Sequence, residues 1–124
     1  MKIHLKKDAV NVLKPEGVEV TYHLFDEYEM ISNVQPPHST QVWHHHDYIL
    51  ETIIMTEGEM TVEWVNENGE NKSQIIREGD LIESGNVPHN ISNNTDKRAK
   101  FITLKQVLSG KNHRETFKTD KILE

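Results

Sequence analysis

Short runs in which apolar and polar residues alternate one by one recur along this chain, and turn residues cut each run off after about ten positions. A period of two is what a strand with one buried face requires, because successive side chains leave opposite faces of the sheet. Val18, Val20, Tyr22 and Leu24 form one such run, and residues 29–34 form a weaker one. Pro36-Pro37 stops it, since proline brings no N–H to a strand ladder. An extended pattern resumes over 41–46. Residues 51–56 are apolar and β-branched, and Met60, Val62 and Trp64 alternate with polar neighbours. Asn66-Glu67-Asn68-Gly69 is a hairpin signal, because Asn-Gly accepts the positive φ of a tight turn. Further strands are predicted over 73–77, 81–84, 89–93 and 101–107, with turns at Glu78-Gly79-Asp80 and Asn93-Asn94-Thr95-Asp96. This pattern predicts an all-β sandwich or barrel.

The ends read differently. Residues 8–16 are expected to be a short helical or irregular entry. Residues 109–124 form a polar tail whose only apolar anchors are Phe117, Ile122 and Leu123, so it is either frayed or docked on the barrel or a partner subunit. A length of 124 residues fits one domain, 1–124.

Apolar residues make up 35% of the chain, which suits either partial disorder or a folded domain with polar ends. The alternation favours the second. The formal charge is -6 with no basic stripe, which speaks against nucleic acid, and no polybasic run is present for an anionic membrane. With no cysteine, disulfides, thiolate metal sites and cysteine nucleophiles are all excluded. Residues 1–7 lack a signal-like apolar stretch, and no segment approaches the ~20 apolar residues of a membrane helix. The expected location is the cytoplasm.

Three of the eight histidines are consecutive. On a strand His44 and His46 share a face and His45 takes the other, so two imidazoles can converge on one cation while the third points away. Glu51 follows His46 by an odd number of residues, which on one continuous strand is the wrong face. A bend at Asp47-Tyr48-Ile49 would reset the parity. Glu51 would then sit on the face of Ile53 and Met55, where an isolated carboxylate is costly unless a cation meets it. His89 follows Pro88, which fixes the backbone before it. Three imidazoles and a carboxylate suit a borderline divalent metal with open positions for water or ligand.

The run His44-x-His46-x4-Glu51-x6-Gly58 resembles the first motif of the cupin family in its ligand spacing and terminal glycine. Gly79-Asp80-Leu81-Ile82-Glu83, continuing through Pro88-His89 to Asn93, resembles the second. The resemblance covers residues 40–107. It implies a double-stranded β-helix, a jelly-roll barrel, with His44, His46, Glu51 and His89 as metal ligands. The sequence departs from the family pattern at four places, one of them the later glycine of the second motif, which is not in register. His38 stands where the first motif begins with glycine, the second motif is one residue short between Gly79 and His89, and Gly85 replaces a common proline. The loop before His89 must therefore differ.

The other residues have plainer readings. Trp43 is assigned to outer packing, Trp64 to the core, Asn93 to a turn, and Glu83 and Arg77 to solvated charges. His38 and Gln41 are the weak candidates for the pocket rim.

Three functions follow. The first is a metalloenzyme acting on a small molecule with Mn, Fe, Ni, Zn or Co, of dioxygenase, isomerase or decarboxylase type. The second is a barrel that binds or senses a small ligand without catalysis. The third is a metal-free isomerase of sugar nucleotides, which would need basic residues in the pocket; Arg77, Arg98 and Arg114 lie away from the motifs. A homodimer is expected, because exposed strand edges need covering.

Overall fold

The computed structural model describes residues 1–124. After a 3-10 turn at Lys6–Asp8, the elements are β1 (Val10–Leu13), β2 (Glu19–Leu24), β3 (Tyr28–Gln35), β4 (Ser39–Thr40), β5 (His44–His45), β6 (Leu50–Glu57), β7 (Glu59–Val65), β8 (Asn71–Arg77), β9 (Leu81–Glu83), β10 (His89–Asn93), β11 (Ala99–Gln106), α1 (Arg114–Thr119) and β12 (Ile122–Leu123). They make two antiparallel sheets. One runs β1-β2-β3-β11-β6-β9; the other runs β12-β5-β10-β7-β8, with β4 also on β10. This is the jelly-roll barrel that the resemblance implies. No helix is long and apolar enough to cross a membrane.

The period of two translates directly into burial. Glu51, Ile53 and Met55 of β6 are buried while Leu50 and Ile54 face outward. Met60 and Val62 of β7 meet them from the other sheet. With Ile76, Ile91, Ala99 and Phe101 they form the main core cluster. Val18, Val20 and Ile31 form a smaller one between β2 and β3. All five residues of β10 are buried, because it is flanked by β7 on one side and by β4 and β5 on the other.

Turn chemistry closes the strands as read. Asn66 Oδ1 accepts the N–H groups of Asn68 and Glu70, and Gly69 sits at φ +76°. At the β6–β7 turn Gly58 has φ +79°, and a Cβ there would lie 2.8 Å from the Arg98 carbonyl oxygen, so only glycine fits. His38 is the single non-glycine residue with positive φ, at 51°. The backbone need that glycine serves in the family motif persists there.

The N-terminal end departs from expectation, and the tail takes one of its two expected states. Residues 10–13 are strand rather than helix or coil, paired with β2 in the register Val10↔Tyr22 to Leu13↔Glu19. All four are exposed, so the strand owes its existence to ladder pairing rather than to burial. The tail docks on the barrel. Arg114 bonds Glu29 at 2.7 Å and the Phe25 carbonyl at 3.0 Å, which holds α1 against the first sheet. β12 pairs with β5 on the second sheet, Ile122 opposite His45. Trp64 is partly buried against the main cluster rather than inside it.

Candidate metal centre

β5 and the residue that follows it position two of the ligand candidates. His44 and His46 are buried on one side, while His45 faces outward, where its Nε2 lies 3.2 Å from Asp47 and its Nδ1 meets the Glu124 carboxylate. The chain bends at Asp47 and Tyr48, with Ile49 buried beneath the bend, and then enters β6 with Glu51 turned inward. Across the sheet His44 is the register partner of His89, and their ring centroids are 4.5 Å apart. The structure thus brings His44, His46, Glu51 and His89 together, with one candidate ligand atom from each lying within 4.8 Å of all the others.

The hydrogen bonds decide which ring nitrogen is available. Each Nδ1 lies against a backbone carbonyl: His44 on Val42 at 2.9 Å, His46 on Asp120 at 2.5 Å and His89 on Val87 at 2.8 Å. A carbonyl only accepts, so each Nδ1 carries the proton and each Nε2 keeps a lone pair in the neutral ring. The Nε2 atoms of His46 and His89 are buried without a hydrogen-bond partner. They stand 3.4 and 3.3 Å from the two oxygens of Glu51. Lone pairs facing a carboxylate at that range repel, and a buried unpaired acceptor is costly. A cation among them removes both penalties, so these residues fit a divalent metal by the chemistry of the donor set.

Proton affinities follow from the same contacts. Burial is the largest influence on His44 and pushes its imidazole down to about 4, against the Val42 carbonyl; the charge of His89 adds to the lowering. Burial would raise Glu51, but His46, His89 and Lys105 together hold it well below the usual carboxylate range. For His89 burial is again the largest single effect and acts downward, yet Glu51 and the Val87 carbonyl outweigh it and raise the group above its ordinary value.

Several supporting residues lack any local sequence signal. Asp120, in the tail, is buried and accepts the N–H groups of Asp47, Tyr48 and Ile49 at 2.8–3.0 Å, while its own carbonyl orients His46. One residue therefore holds both the bend and a ligand ring. Asn86 donates to the carbonyls of His46 and Asp47 from the shortened loop before His89. Ser84 donates to Glu51 Oε1 at 3.0 Å. Gln41 lines the cavity beside the cluster, as a rim group should, and bonds Gln35. His38 does not reach it: the ring is exposed and bonds Asp96 at 2.6 Å. Asn93 is a buried turn anchor, bonding Gln35, Thr95 and Lys97. Glu83 is exposed, and Arg77 pairs with Glu59 at the surface.

Two cavities reach the cluster. The first, of about 540 Å³, is chiefly apolar, lined by Trp64, Ile76, Ile82 and Val87 and also by Ser84 and His89. The second, of about 40 Å³, lies among His44, Glu51 and His89 and touches both core clusters.

The cupin-domain family model matches residues 30–105. The chain belongs to the cupin family. No curated protein matches this cupin. Among solved structures, a tryptophan-to-phenylalanine variant of oxalate decarboxylase from B. subtilis is similar at 19% identity and a TM-score of 0.77, over 96% of this chain and 31% of that one. Vicilin from hazelnut, Corylus avellana, is similar at 15% identity and 0.76, over 89% and 34%. Peruvianin-I, a cysteine peptidase from Thevetia peruviana latex, is similar at 14% and 0.69, over 86% and 72%. The cupin spans about a third of the first two chains, and at these identities the likeness establishes the fold alone.

Proposed function

We propose that this cupin binds one divalent transition metal through His44, His46, Glu51 and His89 and uses it to transform a small molecule. The observation that carries this reading is the arrangement of lone pairs. The Nδ1 of every ring is committed to a backbone carbonyl, and the buried Nε2 atoms of His46 and His89 lack any partner beside a carboxylate. Mn, Fe, Ni, Zn and Co all accept such a set. Bound there, the metal would supply Lewis acidity toward a carbonyl or enediol, or activation of dioxygen. The chain's own residues would do the rest. The backbone carbonyls aim the rings, Ser84 and Lys105 steady Glu51, and the apolar walls exclude water. The name of the oxalate decarboxylase places decarboxylation beside dioxygenase and isomerase chemistry as a candidate reaction.

A binding role without catalysis is the second reading, favoured by the 540 Å³ cleft, whose size is that of an ordinary ligand pocket of roughly 300–1,000 Å³. The sugar-nucleotide reading is disfavoured by size: the cavity that basic side chains line is only about 40 Å³, no arginine lines either cavity, and Arg77, Arg98 and Arg114 are paired with Glu59, Glu57 and Glu29.

The test is elemental analysis of protein purified without added metal. Wild-type protein is expected to carry transition metal up to one per chain, and the variant His44→Ala with His46→Ala is expected to carry none. Metal retained in the double variant overturns the assignment. A substrate screen under air and under nitrogen then separates oxygen-dependent from non-redox chemistry, and no turnover of any substrate would favour the binding role.

A further inference from the structure

Three lysines line the small cavity at the metal-ligand cluster: Lys14 from the turn after β1, Lys105 from β11 and Lys121 from the tail between α1 and β12. They come from parts of the chain far apart in sequence, and the chain as a whole is acidic, with a formal charge of -6. Glu51 is the only carboxylate in the lining. Lys105 reaches it at 3.9 Å. Lys14 and Lys121 have no carboxylate within ion-pair distance, and neither side chain donates a hydrogen bond, although Glu16 lies near enough to act on Lys121 through its charge. Two of the neutral side chains alongside already spend their donors, while the Tyr22 hydroxyl makes no hydrogen bond. Asn33 donates to Ile31, Phe101 and Thr103, and Gln41 donates to Gln35. The charged donors left unspent in this lining are the ammonium groups of Lys14 and Lys121, with the Tyr22 and Thr103 hydroxyls as neutral donors beside them. Burial, then the charges of Lys14 and Lys105, lower the Lys121 ammonium from its ordinary value. An anion between them would relieve that repulsion.

We propose that the small cavity binds a short-chain carboxylate, held by Lys14, Lys105 and Lys121 beside the metal centre. The remaining lining chooses this class. The cavity of about 40 Å³ excludes a nucleotide. Val20, Ile31, Ile53 and Phe101 add a smaller apolar share to a mainly polar lining, a place for the one or two carbon atoms that inorganic phosphate lacks. The inference rests on the metal reading for what the His44, Glu51 and His89 side of the lining holds, but the lysine cluster makes its own prediction.

The experiment is titration calorimetry on cobalt-loaded and metal-free protein with acetate, pyruvate, malonate and succinate, with their neutral amides, and with inorganic phosphate. At least one acid is expected to bind while its amide does not. Lys14→Gln and Lys121→Gln are each expected to weaken it by about tenfold or more, the usual range for a hydrogen bond to a charged group. Lys118→Gln, on the exposed face of α1, is expected to change nothing. Four results overturn the proposal: no acid binds; the amides bind as well as the acids, as the apolar cleft alone would allow; binding ignores both lysine changes; or phosphate is preferred to every carboxylate. Cobalt uptake is read separately by visible absorbance. Failure there defeats the metal reading, and the lysine dependence measured on metal-free protein still decides this one.

Discussion

Asp120 carries more of the metal centre than any residue outside the four candidate ligands. Its carboxylate takes three backbone N–H groups at the bend and its carbonyl fixes the His46 ring. Asp120→Ala leaves those donors unsatisfied and is expected to cost about 2–3 kcal/mol in chemical denaturation. It should also weaken metal binding by roughly 10–100-fold, the usual penalty for losing a group that orients a ligand. Unchanged metal affinity would detach the tail from the site. Gly58 is the other sensitive position. Gly58→Ala combines a positive φ with a 2.8 Å approach to the Arg98 carbonyl and should lower stability by roughly 1–3 kcal/mol, read as a fall in the thermal midpoint. The two residues also mark what was legible. Gly58 is visible from motif spacing alone. Asp120 is not, because a polar tail has no period to read and its partners lie more than 70 residues back.

At the scale of elements, parity did most of the predictive work. The i, i+2 spacing placed His44 and His46 inward and His45 outward, and the odd step to Glu51 called for the bend seen at Asp47 and Tyr48. Parity failed where strands owe nothing to burial. β1 is four exposed residues held by its ladder to β2 and by hydrogen bonds of the Asn11 side chain, so no buried face marked it. The tail's docking was equally hidden, since α1 is fixed by an Arg114–Glu29 pair between distant segments. Glu29 is buried at 5% exposure. Arg114→Met would leave that carboxylate unpaired and is expected to cost about 3 kcal/mol and to free the tail. Limited proteolysis should then cut after residue 108; an intact tail would show that β12 and Asp120 suffice.

For the molecule as a whole, pH and assembly follow from charge and surface. Metal must displace the proton that Glu51 helps to hold on His89, whose imidazole is raised above its ordinary 6.5. As pH falls below that raised value, the apparent affinity should drop about tenfold per unit, one proton competing with one ion. His44, at about 4, adds a second proton only in stronger acid. A competition titration between pH 5 and 8 checks this, and a flat profile contradicts it. Assembly is a separate expectation. β1 is the edge of its sheet and exposes Val10, Val12 and Leu13. An apolar open edge invites pairing with a second copy. Light scattering should give about twice the 14.4 kDa chain mass for the wild type and a monomer for Val12→Lys. A wild-type monomer at high concentration would refute it.

Three imidazoles and one carboxylate converge where a single cation could be held. Anomalous diffraction from crystals of metal-loaded protein, recorded at the metal's absorption edge, tests this most directly. The account predicts one strong peak about 2.0–2.2 Å from Nε2 of His44, His46 and His89 and from an oxygen of Glu51. A peak elsewhere, or none in protein shown to contain metal, would contradict it.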